Sequence, residues 1–113
     1  MPSAIQFVEM AKDYVKRTKG ETTLFELCDM ATNNEVYMDD KGFFIYSVYR
    51  DEFWCHYIYA KKVGDIDHLI KIGEEIARAL GARVVKVLTP YPKAIEKRYG
   101  YKPTQTLMVK EVR

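Results

Sequence analysis

The chain has 113 residues, 48% of them hydrophobic and 30% charged, with a formal net charge of +2. That balance is typical of a water-soluble globular domain and too mild to drive binding to nucleic acid or to an anionic membrane. The length fits one domain spanning 1–113, and no run approaches the ~18 apolar residues of a membrane span.

The first fourteen residues, MPSAIQFVEMAKDY, carry charge early and lack the apolar block of a secretory signal. Cys28 and Cys55 stand far apart, with no C-x-x-C spacing, and are expected to be small buried hydrophobes in a reducing compartment. A cytoplasmic protein is therefore expected. Two histidines twelve residues apart, without paired carboxylates in register, do not make a metal site.

The first predicted element is a helix over residues 4–18. Ser3 and Gln6 have capping-box spacing, Ile5, Val8, Ala11 and Val15 form an apolar stripe, and Gly20 stops the run. A second helix is predicted over 24–32. Thr23 and Glu26 repeat the capping spacing, with Leu24, Leu27, Cys28 and Ala31 on one side.

The period then changes from helical to alternating. EVYMDDKGFFIYSVYRDEFWCHYIYA is rich in β-branched and aromatic residues and is broken at Asp39–Gly42 and at Arg50–Glu52. It predicts three antiparallel strands over 35–39, 43–50 and 53–60. The stretch KKVGDID (61–67) leads into a long amphipathic helix whose apolar face is Ile66, Leu69, Ile70, Gly73, Ile76, Ala77 and Leu80. Asp67–Lys71 and Glu74–Arg78 have favourable i,i+4 spacing on the other face. Gly73 within the stripe suggests close approach to a sheet, and Gly81 ends the helix.

RVVKVLT (83–89) predicts a further strand, joined to the preceding one by a right-handed crossover. A short helix over 93–98 follows, with Pro92 at its first position, and YKPTQTLMVKEV predicts a closing strand. The fold class is α+β/α/β, in the order ααβββαβαβ: a mixed, mostly antiparallel sheet with a central parallel pair and helices on both faces.

Three segments in this order, EEIARALGARVVKVLT, AIEKRYGYKP and LMVKEV, resemble the central helix and strand, the end of the last helix and the terminal strand of the GNAT N-acetyltransferase superfamily. The resemblance covers the chain from about Glu35 onward; the family's usual first strand has no counterpart. It implies transfer of an acetyl group from acetyl-CoA, as cosubstrate, to a primary amine on a small molecule or peptide. It also implies pantetheine held near Ile58, Tyr59 and Ala60, and pyrophosphate held by backbone N–H groups at a helix start, here Lys61, Lys62, Val63, Gly64, Asp65 and Ile66.

The loop departs from the family pattern of Gln/Arg-x-x-Gly-x-Gly/Ala and reads Lys-x-x-Gly-x-Ile. Small residues allow the backbone to approach phosphate, whereas Ile66 adds bulk and Asp65 adds a carboxylate. Two readings stay open: a phosphate loop supplemented by Lys61 and Lys62, or a turn at Gly64 with Asp65 as helix N-cap.

The family's catalytic tyrosine position falls on Glu96, and its asparagine after the penultimate strand on Thr89. Tyr99, next to Gly100, is the substitute candidate for the acid, although packing against the sheet competes with that role. His56, alternating with Trp54, Ile58 and Ala60 on the strand expected to border the cleft, is the candidate base, acting directly or through a water. His68 falls on the polar helix face and is expected to be solvated. The interleaved tyrosines lack the neighbouring arginines of a base-stacking platform. Two exposed sheet edges and many tyrosines leave room for a homodimer. The departures also support a second reading, a GNAT-fold binding or structural module without catalysis.

Overall fold

The computed structural model describes residues 4–19, 21–88, 92–103, 110 and 112. Helix α1 (Ala4–Arg17) and helix α2 (Leu24–Asn33) precede a meander of β1 (Glu35–Asp39), β2 (Gly42–Tyr49) and β3 (Glu52–Ala60). A 3-10 turn at Val63–Asp65 runs into α3 (Ile66–Ala79), followed by β4 (Val84–Val87) and α4 (Pro92–Tyr99). The sheet order is β1-β2-β3-β4, antiparallel except for the parallel β3–β4 pair. The closing strand predicted over 101–112 falls mostly outside the described residues, as do Ser3, Gly20 and Thr89.

Alternation along the strands sorts side chains onto two faces, each covered by helix. Phe43, Ile45 and Tyr59 form one core with Met10 and Ala11 of α1 and Leu27 of α2. Phe44, Phe53 and Cys55 form the other with Leu69 and Ala77 of α3. The α1 face keeps Ala11 and Val15 of the expected stripe in this core but differs at its start. Ile5 is 73% exposed, while Phe7, Met10, Ala11 and Tyr14 meet the sheet. Phe7 and Tyr14 both lie against the Phe43 ring, with centroids 4.9 and 6.5 Å away. Aromatic area outweighs β-branched residues here and rotates the helix toward it.

Local chemistry explains the ends of the elements. The Thr23 hydroxyl accepts from the Glu26 N–H at 3.1 Å and starts α2. Helix α3 stops at Gly81, φ 77°, where Gly81 N–H donates to Arg78 O and Ala82 N–H to Ala77 O. Those two bonds make a Schellman motif, which favours glycine at the left-handed position. The β1–β2 hairpin closes on Gly42, where a Cβ would overlap the Tyr59 carbonyl oxygen and come within 2.9 Å of Leu69 Cδ1. Gly73 lies over Phe44 as expected, yet a Cβ there would sit 3.8 Å from the ring, an ordinary contact.

The two carboxylates predicted to pair along α3 are used elsewhere. Asp67 accepts from Arg98 and Tyr99, and Glu74 from Tyr101 at 2.9 Å. Both therefore tie α3 to α4 and the residues after it, instead of pairing with Lys71 and Arg78.

Candidate active site

The site is built where β3 and β4 part. Their parallel register runs from Glu52↔Val84 to Cys55↔Val87, and the Leu88 N–H still reaches the Cys55 carbonyl at 3.2 Å. Residues 56–60 of β3 continue with no β4 partner among the described residues. A bulge marks the same point on the opposite edge of β3. Tyr46 pairs with Cys55 and Ile45 with Tyr57, so His56 is the extra residue. Such a residue bends its strand and re-aims side chains.

The His56 imidazole is half-buried. Its Nε2 lies 2.8 Å from Ser47 Oγ across the β2–β3 pair, and its ring lies near-parallel to Trp54 at 6.2 Å. Burial lowers its pKa below the ordinary histidine value, which favours the neutral ring at pH 7. Cys55 beside it is buried, and burial pushes its thiol up to about 12. It is inert as a nucleophile.

The far end of β3 is fixed by a residue the sequence patterns did not single out. Arg17, at the end of α1, donates from Nη1 to the Ala60 carbonyl at 2.6 Å and from Nη2 to the Lys61 carbonyl at 2.7 Å. Asp13 holds the same guanidinium at 2.9 Å and accepts from the Tyr59 hydroxyl at 2.6 Å. Burial first, then that hydrogen bond, raises Tyr59 to about 12. The Arg17 guanidinium also lies over the Tyr59 ring, 4.9 Å from its centroid. A cavity of about 210 Å³, lined by Gln6, Glu9, Met10, Tyr59 and Lys61, opens beside this clamp.

The 61–66 loop leaves Ala60 under that clamp. The Lys61 N–H donates to Lys41 O at 2.8 Å, the Asp65 N–H to Lys62 O and the Ile66 N–H to Val63 O. The Val63 and Gly64 amides head the turn and have no acceptor within it. A Cβ on Gly64 would meet nothing within 4 Å, and Val63 is 85% exposed. Lys61 and Lys62 are exposed, and neither makes an ion pair among the described residues. Asp65 occupies the N-cap position with helical backbone (φ −81°, ψ −10°), and its side chain makes no capping bond. Of the two readings left open by the sequence, the one with the Asp65 carboxylate as N-cap is not realised: its backbone is helical rather than extended, and its side chain reaches no amide of the first turn.

Two further expectations change. Tyr99 meets α3 rather than the sheet, its hydroxyl donating to Asp67. Burial first, then that bond, raises its pKa above the ordinary tyrosine value. His68 is partly covered and paired rather than solvated, with Nε2 2.7 Å from Asp39 Oδ2. Asp39 also accepts from Tyr37 and from the Lys41 N–H, each at 2.8 Å. Burial alone would raise Asp39, but these hydrogen bonds outweigh it and hold the carboxyl below its ordinary range.

Ile58 and Ala60 point toward α3, in the layer of Phe44 and Leu69. On that side the space between the parting strands is nearly filled, with a gap of about 20 Å³ among Ile58, Gly73, Glu74, Val87 and Tyr101. Tyr59 packs on the α1 side, and the bulge takes His56 off the face of Ile58 and Ala60 with which the sequence alternation grouped it, leaving it beside Trp54 and Ser47. The predicted residues thus form three neighbouring pieces: His56 at the bulge, Ile58–Ala60 along the free edge, and Lys61–Ile66 at the helix start. Tyr99 stands apart, against the first turn of α3. None of the described helices is long and apolar enough to cross a membrane.

No family model matches this sequence, and no curated protein does. Solved structures do. A protein from Pyrococcus furiosus described as an acetyl transferase superposes with a TM-score of 0.70 at 17% identity, over 92% of each chain. An acetyltransferase from Trypanosoma brucei gives 0.60 at 14% identity, over 93% of this chain and 89% of that one. The aminoglycoside N-acetyltransferase AAC(6')-Iy, solved in complex with CoA, gives 0.55 at 16% identity, over 90% and 95%. The parallel β3–β4 pair, the helices on both faces and these superpositions give the chain a GNAT-like α+β fold, shared with these solved structures.

Proposed function

We propose that the protein transfers an acetyl group from acetyl-CoA to a primary amine. The observation that carries this reading is the parting of β3 from β4 beside the His56 bulge, ahead of a helix start with spare amides. The residues present fit the cosubstrate. The free edge of Tyr57–Ala60 offers main-chain partners to the amide groups of pantetheine, as an added strand would. The Val63 and Gly64 amides, at the positive end of the helix dipole, suit pyrophosphate, and Lys61 and Lys62 add charge.

His56, neutral at pH 7, accepts a proton from the acceptor ammonium, directly or through a water. The free amine attacks the thioester carbonyl carbon, the C–S bond breaks as CoA thiolate leaves, and the acylated nitrogen sheds its remaining extra proton to solvent to give the neutral amide. The thiolate takes its proton from Tyr99 or from solvent. A tyrosine whose hydroxyl donates to Asp67 must give up that bond first, which favours solvent. Arg17 positions the site by holding the Ala60 and Lys61 carbonyls.

Calorimetry with CoA and acetyl-CoA tests the cosubstrate. Micromolar to low-millimolar binding is expected, with about tenfold loss in Gly64→Ala, where an added methyl would crowd a phosphate but no protein atom. No heat and no thermal shift at millimolar ligand would refute the reading.

A second reading, a GNAT-fold binding module without turnover, is favoured by Tyr99 being engaged with Asp67 and by the exposed Glu96 at the acid's usual position. Acetyl-CoA turnover on n-alkylamines or polyamines, followed by thiol release, separates the two.

A further inference from the structure

One group of side chains near the bulge belongs to neither core. Lys86 on β4 is paired in register with Trp54 on β3, one position before the strands part. Its Nζ lies 2.9 Å from Glu52 Oε2 and 4.7 Å from the centroid of the Trp54 ring. The same Glu52 oxygen accepts from Trp54 Nε1 at 3.0 Å. Trp54 in turn stacks on His56, which meets Ser47, so the row crosses β4, β3 and β2 and ends at the bulge.

A carboxylate oriented by an indole N–H, beside the face of that indole, is the chemistry that holds an ammonium ion. Hydrogen bonds from Lys86 and Trp54 keep Glu52 below its ordinary pKa, so the carboxylate is charged. The present cation is the tip of a flexible side chain, and Lys86 and Glu52 are 39% and 33% exposed. An exposed ion pair of this kind is weak and readily displaced. We propose that the Glu52–Trp54 shelf is a binding site for a primary ammonium group, occupied in the free protein by Lys86 and vacated to receive the acceptor amine. Its use as an acceptor site rests on the acetyltransferase reading; its ability to bind an ammonium does not. The shelf adjoins the imidazole assigned as base, so an amine bound there is delivered toward the open end of the cleft.

Trp54 is the only tryptophan in the chain, so its fluorescence reports on the shelf without labelling. The probe is n-butylammonium chloride, which copies the lysine side chain, titrated against matched sodium chloride. Lys86→Ala should give a saturable millimolar response about fivefold tighter than the wild type, because the internal competitor is gone. Lys86→Thr, a better strand former, should behave alike and guards against a folding defect. Adding Glu52→Gln to either variant should abolish saturation. A response that fails to saturate in both Lys86 variants, or that ignores Glu52→Gln, overturns the shelf. With acetyl-CoA present, the KM for n-butylamine should fall by the same factor in Lys86→Ala. Binding without any turnover would leave the shelf standing and sink the acetyltransferase reading. Turnover whose KM ignores Lys86 and Glu52 would leave the acetyltransferase reading standing and sink the shelf's use as the acceptor site.

Discussion

The two halves of β3 are held in different ways. Residues 52–55 pair with β2 on one edge and β4 on the other, and Phe53 and Cys55 are sealed beneath α3. Beyond the His56 bulge, residues 57–60 pair with β2 alone among the described residues, and their end is secured by a side chain from α1. A fully laddered strand is rigid but has no main-chain group to offer a ligand. A strand with one open edge offers such groups and needs another anchor, which Arg17 supplies. On the proposed reading, one continuous strand serves as both core and site.

The largest test of that contrast falls in the sealed half. Phe53 is 1% exposed and stacks on Tyr46 with centroids 4.8 Å apart. Phe53→Ala should cost about 3–5 kcal/mol, read as a lower urea midpoint at an unchanged m-value. In the open half, Arg17→Met should cost only about 1 kcal/mol, because the guanidinium is half exposed. Its effect on CoA binding should be the larger one, about tenfold by calorimetry, since it frees the Ala60–Lys61 carbonyls and the loop beyond. An Arg17→Met variant that loses stability as Phe53→Ala does, with CoA affinity intact, would erase the distinction between the two halves.

The sequence made the halves only partly legible. The meander, the long helix and the β4 run were readable because alternation and a 3.6-residue period are strong local signals. Gly81 was readable for the same reason, a left-handed position following a periodic run. The His56 bulge was not, since nothing in FWCHYIYA distinguishes an extra residue from a continuous strand. Arg17 was not, because it lies 43 and 44 residues from the carbonyls it holds. The role of Asp65 was open in the sequence, because a carboxylate before a helix usually caps it, whereas here a 3-10 turn precedes the helix and sets Asp65 in helical backbone with no capping bond. Tyr99 and His68 were misjudged for a related reason. Each found a carboxylate on another element, Asp67 or Asp39, and periodicity carries no information about such pairs.

Smaller effects probe the layer between the two halves. Gly73 faces Phe44 across the small gap below the parting strands. Its methyl would make ordinary contacts, so Gly73→Ala should stabilise by about 0.5–1 kcal/mol through helix propensity. A destabilised variant would mean that α3 approaches the sheet more closely than this packing allows.

The smallest effect concerns His56, where the halves meet. Burial lowers its pKa in the folded protein below the ordinary value near 6.5. Above that value the ring is neutral in both the folded and unfolded states, and pH does not act through it. As pH falls below about 6.5, the unfolded chain binds a proton that the folded chain resists, so stability declines; the decline levels off below the folded pKa. His56→Gln removes this contribution. Its stability should therefore fall less than the wild type's between pH 7 and pH 5, by less than the Gly73→Ala effect, when both are followed by urea unfolding. If the same imidazole is the base, the acid limb of the acetylation rate lies at the histidine's lowered pKa and disappears in His56→Gln along with most of the rate. A flat stability difference across that range would show that the bulge leaves His56 in contact with water.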